Sequence, residues 1–115
     1  IIKRLKHCLK SAKSRAKERD LDFDLTIEYL LELNKKQNSC CQLTNISFDL
    51  NPPKYKSGHN PLSPSIDRID STKGYTKDNT RLICTAMNIA LNQFGDEFFF
   101  EMIKNYLKTT KNIKI

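Results

Sequence analysis

Apolar side chains recur every three or four residues at the start of the chain. Ile2, Leu5, Leu9, Ala12 and Ala16 follow this spacing, which predicts an amphipathic helix from residue 2 to about residue 19. The other positions are rich in cations: Lys3, Arg4, Lys6, Lys10, Lys13, Arg15, Lys17 and Arg19. The helix is therefore expected to bury a narrow apolar stripe. Its basic face is either a solvated surface or a contact for a polyanion.

A second helix is predicted from Thr26 to about Lys36. Thr26 is a good N-cap residue, and Glu28 follows in the first turn, where the helix dipole favours an anion. Residues 40–50 then predict a small hairpin with its bend at Thr44 and Asn45. Residues 51–63 are expected to form a loop, because the segment is rich in turn formers: Pro52, Pro53, Gly58 and Pro61.

The centre of the chain changes to a different pattern. Apolar and polar residues alternate from Ile66 to Asp70, turn formers surround Gly74, and residues 81–84 predict a second short strand. A helix is predicted to begin near Thr85 and to end near residues 94–95, with Gly95 as its C-terminal cap. Residues 63–94 therefore predict a strand, an ordered loop, a second strand and a helix.

The last predicted helix covers residues 96–110, and Asp96 is a candidate for its N-cap. Its apolar side chains are expected to lie in the core rather than to stack on bases: Phe98, Phe99, Met102, Ile103, Tyr106 and Leu107.

Two polar side chains of the central segment are well spaced to share a cation. Asp67 lies on the first predicted strand, and Asn88 falls one turn inside the following helix. A helix packed across the strand pair would bring the carboxylate and the amide oxygen together. Two oxygen ligands, with water completing the shell, are how proteins usually hold magnesium at a phosphodiester.

Composition narrows the class of protein. The chain has 115 residues, 38% of them hydrophobic, which is the size of one α+β domain with a modest core. Its net charge of +7 and pI near 9.3 suit a polyanionic partner such as nucleic acid, although a lysine-rich solubilising surface has the same signature. No apolar run reaches the length of a membrane span, so a soluble protein is expected.

The ordered motif resembles a known family. Ser65-Ile66-Asp67-Arg68-Ile69-Asp70 is followed by Gly74-Tyr75, Asn79 and Asn88. This series resembles the HNH endonucleases of the ββα-metal (His-Me finger) type, in the branch found in phages and mobile elements. Three flanking segments are also similar to the upstream parts of such proteins: residues 12–19, 23–26 and 41–45.

The resemblance implies a fold and an activity. It implies a single HNH domain over residues 1–115: a basic helical region at 1–38, a hairpin at 40–50, a ββα-metal finger at 63–94 and a C-terminal helix at 96–110. It also implies hydrolysis of DNA, expected to be double-stranded, by a monomer or homodimer that depends on Mg²⁺ or Mn²⁺. A phage or homing element is the implied setting, and the cytoplasm of a bacterial host the implied location.

The family's site residues carry over position by position. Asp67 and Asn88 match the two metal ligands, and Asn79 matches an asparagine that steadies the loop between the strands. Arg68 stands where most HNH enzymes have the histidine that takes a proton from water, and arginine cannot do this. It could instead hold phosphate oxygens. Five further side chains are either phosphate contacts or ordinary surface cations: Lys13, Arg15, Lys73, Lys77 and Arg81.

The general base therefore stays open at the sequence level. His59, Asp70 and Tyr75 are candidates, and His59 is favoured because its ordinary pKa lies near neutrality. A metal-bound water aided by a substrate oxygen is a further alternative. The rival interpretation is a finger that binds nucleic acid but has lost catalysis, with Arg68 marking the loss. A basic structural protein is a third interpretation.

Structural zinc is not expected. Many HNH domains bind zinc through two Cys-x-x-Cys pairs, but Thr44 follows Cys41 and Met87 follows Cys84 at the second position of each pair. Cys40, Cys41, Cys84 and His59 could form an irregular site, yet adjacent cysteines rarely bind one metal. Free or buried thiols in a reducing compartment are the default expectation.

Overall fold

The computed structural model describes residues 1–53 and 58–115. These residues form an α+β fold with four α-helices and a two-stranded antiparallel sheet. The elements in chain order are α1 (Ile2–Glu18), α2 (Ile27–Lys36), β1 (Pro64–Arg68), a 3₁₀ turn (Lys77–Asn79), β2 (Thr80–Cys84), α3 (Thr85–Leu91) and α4 (Gly95–Thr110). Within the described residues, no helix has both the length and the apolar character needed to cross a bilayer.

The first helix buries a stripe of small and medium side chains. Leu5, Cys8, Ala12 and Ala16 are buried, as their spacing of three or four residues requires, whereas Ile2 at the helix start is exposed. Small residues let α1 approach β1 closely. The Cys8 thiol donates a hydrogen bond of 3.4 Å to the carbonyl of Pro64, which is the first residue of β1.

The second helix begins as its sequence predicts. The Thr26 hydroxyl accepts a hydrogen bond from the backbone N–H of Tyr29 at 3.1 Å, which confirms the N-cap. Leu30 is fully buried on the inner side of α2. The two helices and one face of the sheet form the larger core cluster, which also contains Ile66, Tyr75 and Leu82.

The sheet has a short, well-defined register. β1 and β2 are antiparallel, with Asp67 opposite Arg81 and Ile66 opposite Leu82. The first strand begins and ends two residues earlier than the alternation from Ile66 to Asp70 predicts. It ends at Arg68 because the Asp70 carboxylate accepts hydrogen bonds from the N–H and hydroxyl of Thr72, which starts a turn and leaves Ile69 exposed.

The predicted hairpin at residues 40–50 is reduced to a tight turn. A single antiparallel bridge joins Cys40 and Ser47, and Asn45 takes a left-handed φ of 59°, which asparagine tolerates well. Of the alternating apolar residues, Phe48 packs against the core, while Ile46 and Leu50 are exposed. The loop predicted at 51–63 lies partly outside the described residues.

The C-terminal part differs from its prediction. α3 ends at Leu91 rather than near residue 94, because Asn92 leaves the helix with a φ of 45°. Gly95 is the first residue of α4 rather than a C-terminal cap, and Asp96 is not its N-cap. The prediction that the apolar residues of α4 are core is also wrong, because no residue of α4 is buried. Only Phe99 packs, in part, against the second core cluster around Ile83.

Candidate active site

One open cleft brings the central motif together with the first helix. It has a volume of about 470 Å³ and is lined by α1, β1, the loop after β1 and α3. Asp67 from β1 and Asn88 from α3 both line it, as do Arg68 and His59. The antiparallel strands set Asp67 at the end of β1, and α3 follows β2 directly, so the fold positions both proposed ligands without a long connection.

The Asp67 carboxylate is fixed by a hydrogen bond from Arg81, its partner on the neighbouring strand β2. It is 7% exposed, and its Oδ2 accepts a hydrogen bond from Arg81 Nε at 2.8 Å. Burial raises the pKa of the Asp67 carboxyl above its usual range, although the hydrogen bond and the charge of Arg81 act against this rise. The bond uses Oδ2, and Oδ1 is the carboxylate atom that can bind a cation.

Arg81 is not a surface cation, contrary to its expected role as a phosphate contact. The residue is 7% exposed, and its two terminal nitrogens donate to the Asp96 carboxylate at 3.0 and 2.7 Å. These bonds lower the pKa of Asp96, whereas Asp67 is more buried and receives only one bond. Asp96 at the start of α4 therefore orients Arg81, and Arg81 orients Asp67. The sequence analysis did not assign Asp96 to the site.

The amide oxygen of Asn88 is the side-chain atom available to a cation, because the amide nitrogen is bound to β1. Its Nδ2 donates to the hydroxyl of Ser65 at 3.0 Å and to the carbonyl of Ile66 at 3.2 Å, both on β1. The amide nitrogen is thus directed to the strand, and Oδ1 is the atom left to act as a ligand. A carboxylate and an amide oxygen in one cleft are hard donors of the kind that Mg²⁺ and Mn²⁺ prefer. The donor set fits such an ion.

Arg68 is held rigidly at the cleft. One terminal nitrogen donates to the carbonyls of Ser71 and Lys73 at 2.9 and 3.0 Å, and the guanidinium lies 5.1 Å from the centre of the Tyr75 ring. Arg15 of α1 lies 5.6 Å from the same ring, and its Nε donates to the Tyr75 hydroxyl at 3.0 Å. Tyr75 is therefore in contact with two arginines, and both line the cleft.

Asn79 connects both ends of the loop that carries Arg68's partners. Its Oδ1 accepts from the N–H of Asp70 at 2.9 Å, and its Nδ2 donates to the carbonyls of Asp70 and Gly74 at 3.1 and 2.8 Å. These are the backbone contacts expected at this position. Asn79 does not line the cleft, so its contribution is to hold the loop.

The cations that line the cleft are arginines, whereas the lysines predicted to bind phosphate lie outside it. Four of the five arginines in the sequence line the cleft, and the fifth, Arg81, pairs with Asp67. In contrast, Lys13, Lys73 and Lys77 are exposed and do not line it. The sequence analysis assigned Arg15 to phosphate binding, but it placed two other arginines only on the basic face of the first helix: Arg4 and Arg19.

The sequence carries a signal for Arg4 and Arg15, although not for Arg19. Arg4 and Arg15 each directly precede a residue of the buried stripe, Leu5 and Ala16 respectively. Such flanking positions lie at the border between the buried and exposed faces of a helix. Arg4 confirms this placement, because its Nε donates to the carbonyl of Pro64 on β1 at 3.0 Å.

The candidates for the general base differ in their freedom to act. Asp70 is occupied by its turn with Thr72, and Tyr75 is 4% exposed with its hydroxyl bonded to Arg15. His59 is exposed and lines the cleft. It is the candidate with an imidazole open to the cleft.

The cysteines form a pair and two separate thiols. Cys41 and Cys84 are buried in the second core cluster, with their thiols in hydrogen-bonding contact, and burial raises the pKa of Cys84. Cys40 turns away from them, since its thiol contacts the carbonyl of Asn38 at 3.3 Å. Over residues 1–53 and 58–115, no three His, Cys, Asp or Glu side chains group together as a metal site.

Comparison of the chain with protein-family models finds no match, and comparisons with curated proteins and with solved structures find none either.

Proposed function

We propose that the chain is a divalent-metal-dependent DNA endonuclease, with β1, β2 and α3 as a ββα-metal finger of the HNH type. The observation that carries the proposal is the composition of the cleft. A carboxylate and an amide oxygen suited to Mg²⁺ lie among four arginines, in a chain of net charge +7. Hard oxygen ligands surrounded by planar cations suit a phosphodiester, which carries charge and two nonbridging oxygens.

In this proposal Asp67 and Asn88 would hold Mg²⁺ or Mn²⁺, which would supply Lewis-acid stabilisation of the phosphate charge that develops during hydrolysis. Arg81 keeps the Asp67 carboxylate in one orientation, because its Nε donates to Asp67 Oδ2 at 2.8 Å. Asp96 in turn holds Arg81, since its Oδ1 accepts a second hydrogen bond from the guanidinium at 2.7 Å. Ser65 does the same for Asn88. The ligand geometry is thus set before an ion arrives, which limits the entropy lost on binding.

Arg68 binds the phosphate rather than removing a proton. An arginine side chain has only N–H donors and no acceptor for a proton. The carbonyls of Ser71 and Lys73 and the Tyr75 ring hold the Arg68 guanidinium in place. A preorganised cation at the scissile phosphate stabilises negative charge in the transition state. Arg4, Arg15 and Arg19 extend the same positive surface along α1 and bind neighbouring phosphates of the duplex.

Water is the nucleophile and His59 takes its proton. The water oxygen forms a bond to phosphorus, the bond between phosphorus and the 3'-oxygen breaks, and that oxygen takes a proton from solvent water and leaves as a hydroxyl. The products have 3'-hydroxyl and 5'-phosphate ends. An imidazole is suited to the first proton transfer because its ordinary pKa is near neutrality.

A second candidate function is DNA binding without cleavage. The residue that favours it is Arg68, because it stands where a proton-accepting histidine is usual and it cannot replace that histidine. The same arginine-lined cleft would serve a binding module. Such a module has no need for a metal, so the two functions differ in their response to metal removal.

The test is cleavage of supercoiled plasmid by the purified chain with Mg²⁺, with Mn²⁺ and with EDTA. We expect metal-dependent nicking or linearisation, lost in Asp67→Ala and in Asn88→Ala and reduced in His59→Ala. Asn105→Ala is the control, since Asn105 is an exposed asparagine within α4 that does not line the cleft, and it should retain activity. If the wild-type chain shifts DNA on a gel but cuts it in neither metal, the binding module is the correct function.

A further inference from the structure

Two buried thiols lie side by side in the second core cluster. Cys41 is 1% exposed and Cys84 is 3% exposed, and they pack there with Ile83 and Leu91. All four cysteines of the chain are free, but the thiols of Cys41 and Cys84 are in hydrogen-bonding contact. Two sulfur atoms in such contact need only a small rotation of their side chains to form a disulfide. No step of the proposed nuclease reaction uses either thiol.

The backbone around the two cysteines keeps them together. The N–H of Cys41 donates to the carbonyl of Ile46 at 2.9 Å, which closes a tight turn. The next residue joins this turn to the sheet, because the N–H of Gln42 donates to the carbonyl of Leu82 at 3.1 Å. Cys84 is the last residue of the same strand, β2. The cysteines therefore belong to neighbouring segments whose backbones are bonded to each other, and their contact is part of the fold.

The two thiols differ in their tendency to ionise. Burial acts to raise the pKa of the Cys41 thiol, but hydrogen bonds from the Thr44 hydroxyl and from three backbone N–H groups lower it below its usual range. Burial raises the pKa of the Cys84 thiol. The thiolate is the reactive form of cysteine, so Cys41 is the sulfur suited to react first and Cys84 the one suited to react second.

An apolar cavity lies beside the pair. It has a volume of about 570 Å³, and its lining includes Met87, Leu91 and Phe99, which belong to the same cluster as the thiols or pack against it. Because the sulfur atoms are almost fully buried, only a molecule close to the size of water can reach them. Hydrogen peroxide is that small and is uncharged, so it can enter apolar surroundings more easily than a charged oxidant.

We propose that Cys41 and Cys84 form an oxidation site, at which hydrogen peroxide converts the two neighbouring thiols into a disulfide. The inference goes beyond the proposed nuclease activity and does not depend on it. The disulfide closes a loop of the chain that contains both strands of the sheet, and a cross-link of this kind stabilises mainly by restricting the unfolded chain. α3 begins directly after Cys84, and it keeps its place because the thiols are already in contact.

The reaction has two steps. The Cys41 thiolate attacks one oxygen of hydrogen peroxide, the O–O bond breaks, hydroxide leaves and Cys41 becomes a sulfenic acid. The Cys84 thiolate then attacks the Cys41 sulfur, the sulfur–oxygen bond breaks and a second hydroxide leaves. The two hydroxides take up the protons that the two thiols released, which gives two water molecules. The two sulfur atoms together lose two electrons, and peroxide gains them.

The experiment is a disulfide map of the wild-type chain after treatment with one equivalent of hydrogen peroxide and blocking of the remaining thiols. On a non-reducing gel the product should run as a monomer. Trypsin should release residues 37–54 and residues 82–104 as one joined fragment, which dithiothreitol separates. In urea denaturation the midpoint of the oxidised chain should exceed that of the reduced chain by about 1 M or more.

Cys40 shares its tryptic fragment with Cys41, so variants identify the partner of Cys84. Cys40→Ser and Cys8→Ser should keep the joined fragment, because the Cys40 thiol contacts the carbonyl of Asn38 and Cys8 lies in the other core cluster. Cys41→Ser and Cys84→Ser should lose both the joined fragment and the shift of the urea midpoint. If either of these two variants does not fold, the maps of the wild-type chain and of Cys40→Ser decide the question.

Three results would overturn the proposal. The first is a chain that circular dichroism shows to be folded and whose thiols stay reduced in peroxide. The second is a disulfide found only between two chains. The third is a joined fragment that disappears in Cys40→Ser. Plasmid cleavage does not enter this test, so the outcome is separate from that of the nuclease proposal.

Discussion

Asn79 offers the sharpest test of how the loop at the cleft is held. The side chain is 7% exposed and makes three hydrogen bonds to the backbone, one accepted from Asp70 N–H and two donated to the carbonyls of Asp70 and Gly74. Asn79→Ala removes all three and leaves three backbone groups without these partners. At about 1 kcal/mol for each lost bond, the free energy of unfolding should fall by about 3 kcal/mol.

The substitution Asn79→Asp separates hydrogen bonding from shape. The isosteric carboxylate keeps the acceptor for Asp70 N–H, but its second oxygen faces two carbonyl oxygens where the amide donated at 3.1 and 2.8 Å. At neutral pH this variant should be less stable than Asn79→Ala, because a buried charge then meets two acceptors. The introduced acid should have a raised pKa in the folded state. Its protonated form restores one donor, so the deficit should shrink as the pH falls through that raised value.

Urea denaturation followed by circular dichroism, at neutral and at acidic pH, measures both effects. Asn105→Ala is the control, because Asn105 makes one exposed hydrogen bond to the carbonyl of Glu101 within α4 and should change stability little. A loss below about 1 kcal/mol for Asn79→Ala would mean that its three bonds are replaced by water, and the argument from burial would be wrong.

Three further predictions concern other parts of the same site. In Gly74→Ala the new Cβ would lie 2.3 Å from the carbonyl oxygen of Asp22, which is backbone and cannot rotate away, so urea denaturation should show a loss of about 2 kcal/mol or more. The hydrogen bonds from Arg81 lower the pKa of Asp96, so the stabilisation by its carboxylate is complete above the ordinary value of 3.8 and is lost as the pH falls through the lower folded value. In thermal unfolding at neutral pH, Asp96→Asn should therefore be less stable than the wild-type chain, and the difference should vanish in acid. Arg15→Ala should weaken DNA binding and reduce its salt dependence by about one charge, whereas Lys13→Ala, outside the cleft, should have a smaller effect; equal effects would contradict the distinction between the two residues.

The sequence by itself determined the features that depend on neighbours within a few residues. The stripe of α1, the cap at Thr26 and the left-handed bend at Asn45 all follow from local spacing and side-chain chemistry. The order of strand, loop, strand and helix is local in the same sense, because β2 follows its loop and α3 follows β2 without a break. The sequence therefore predicted that Asp67 and Asn88 lie close together, and in the structure both line one cleft.

The tertiary structure decided the features that join distant parts of the chain. Arg4 lies on a face of α1 that the sequence describes only as basic, and its selection for the cleft depends on contact with Pro64, sixty residues away. From the sequence Arg81 was predicted to be a surface cation, but in the structure it is buried and pairs with two carboxylates, Asp67 of β1 and Asp96 of α4. The apolar face of α4 looks like core in the sequence, because spacing shows that a face is apolar but not whether another element packs against it.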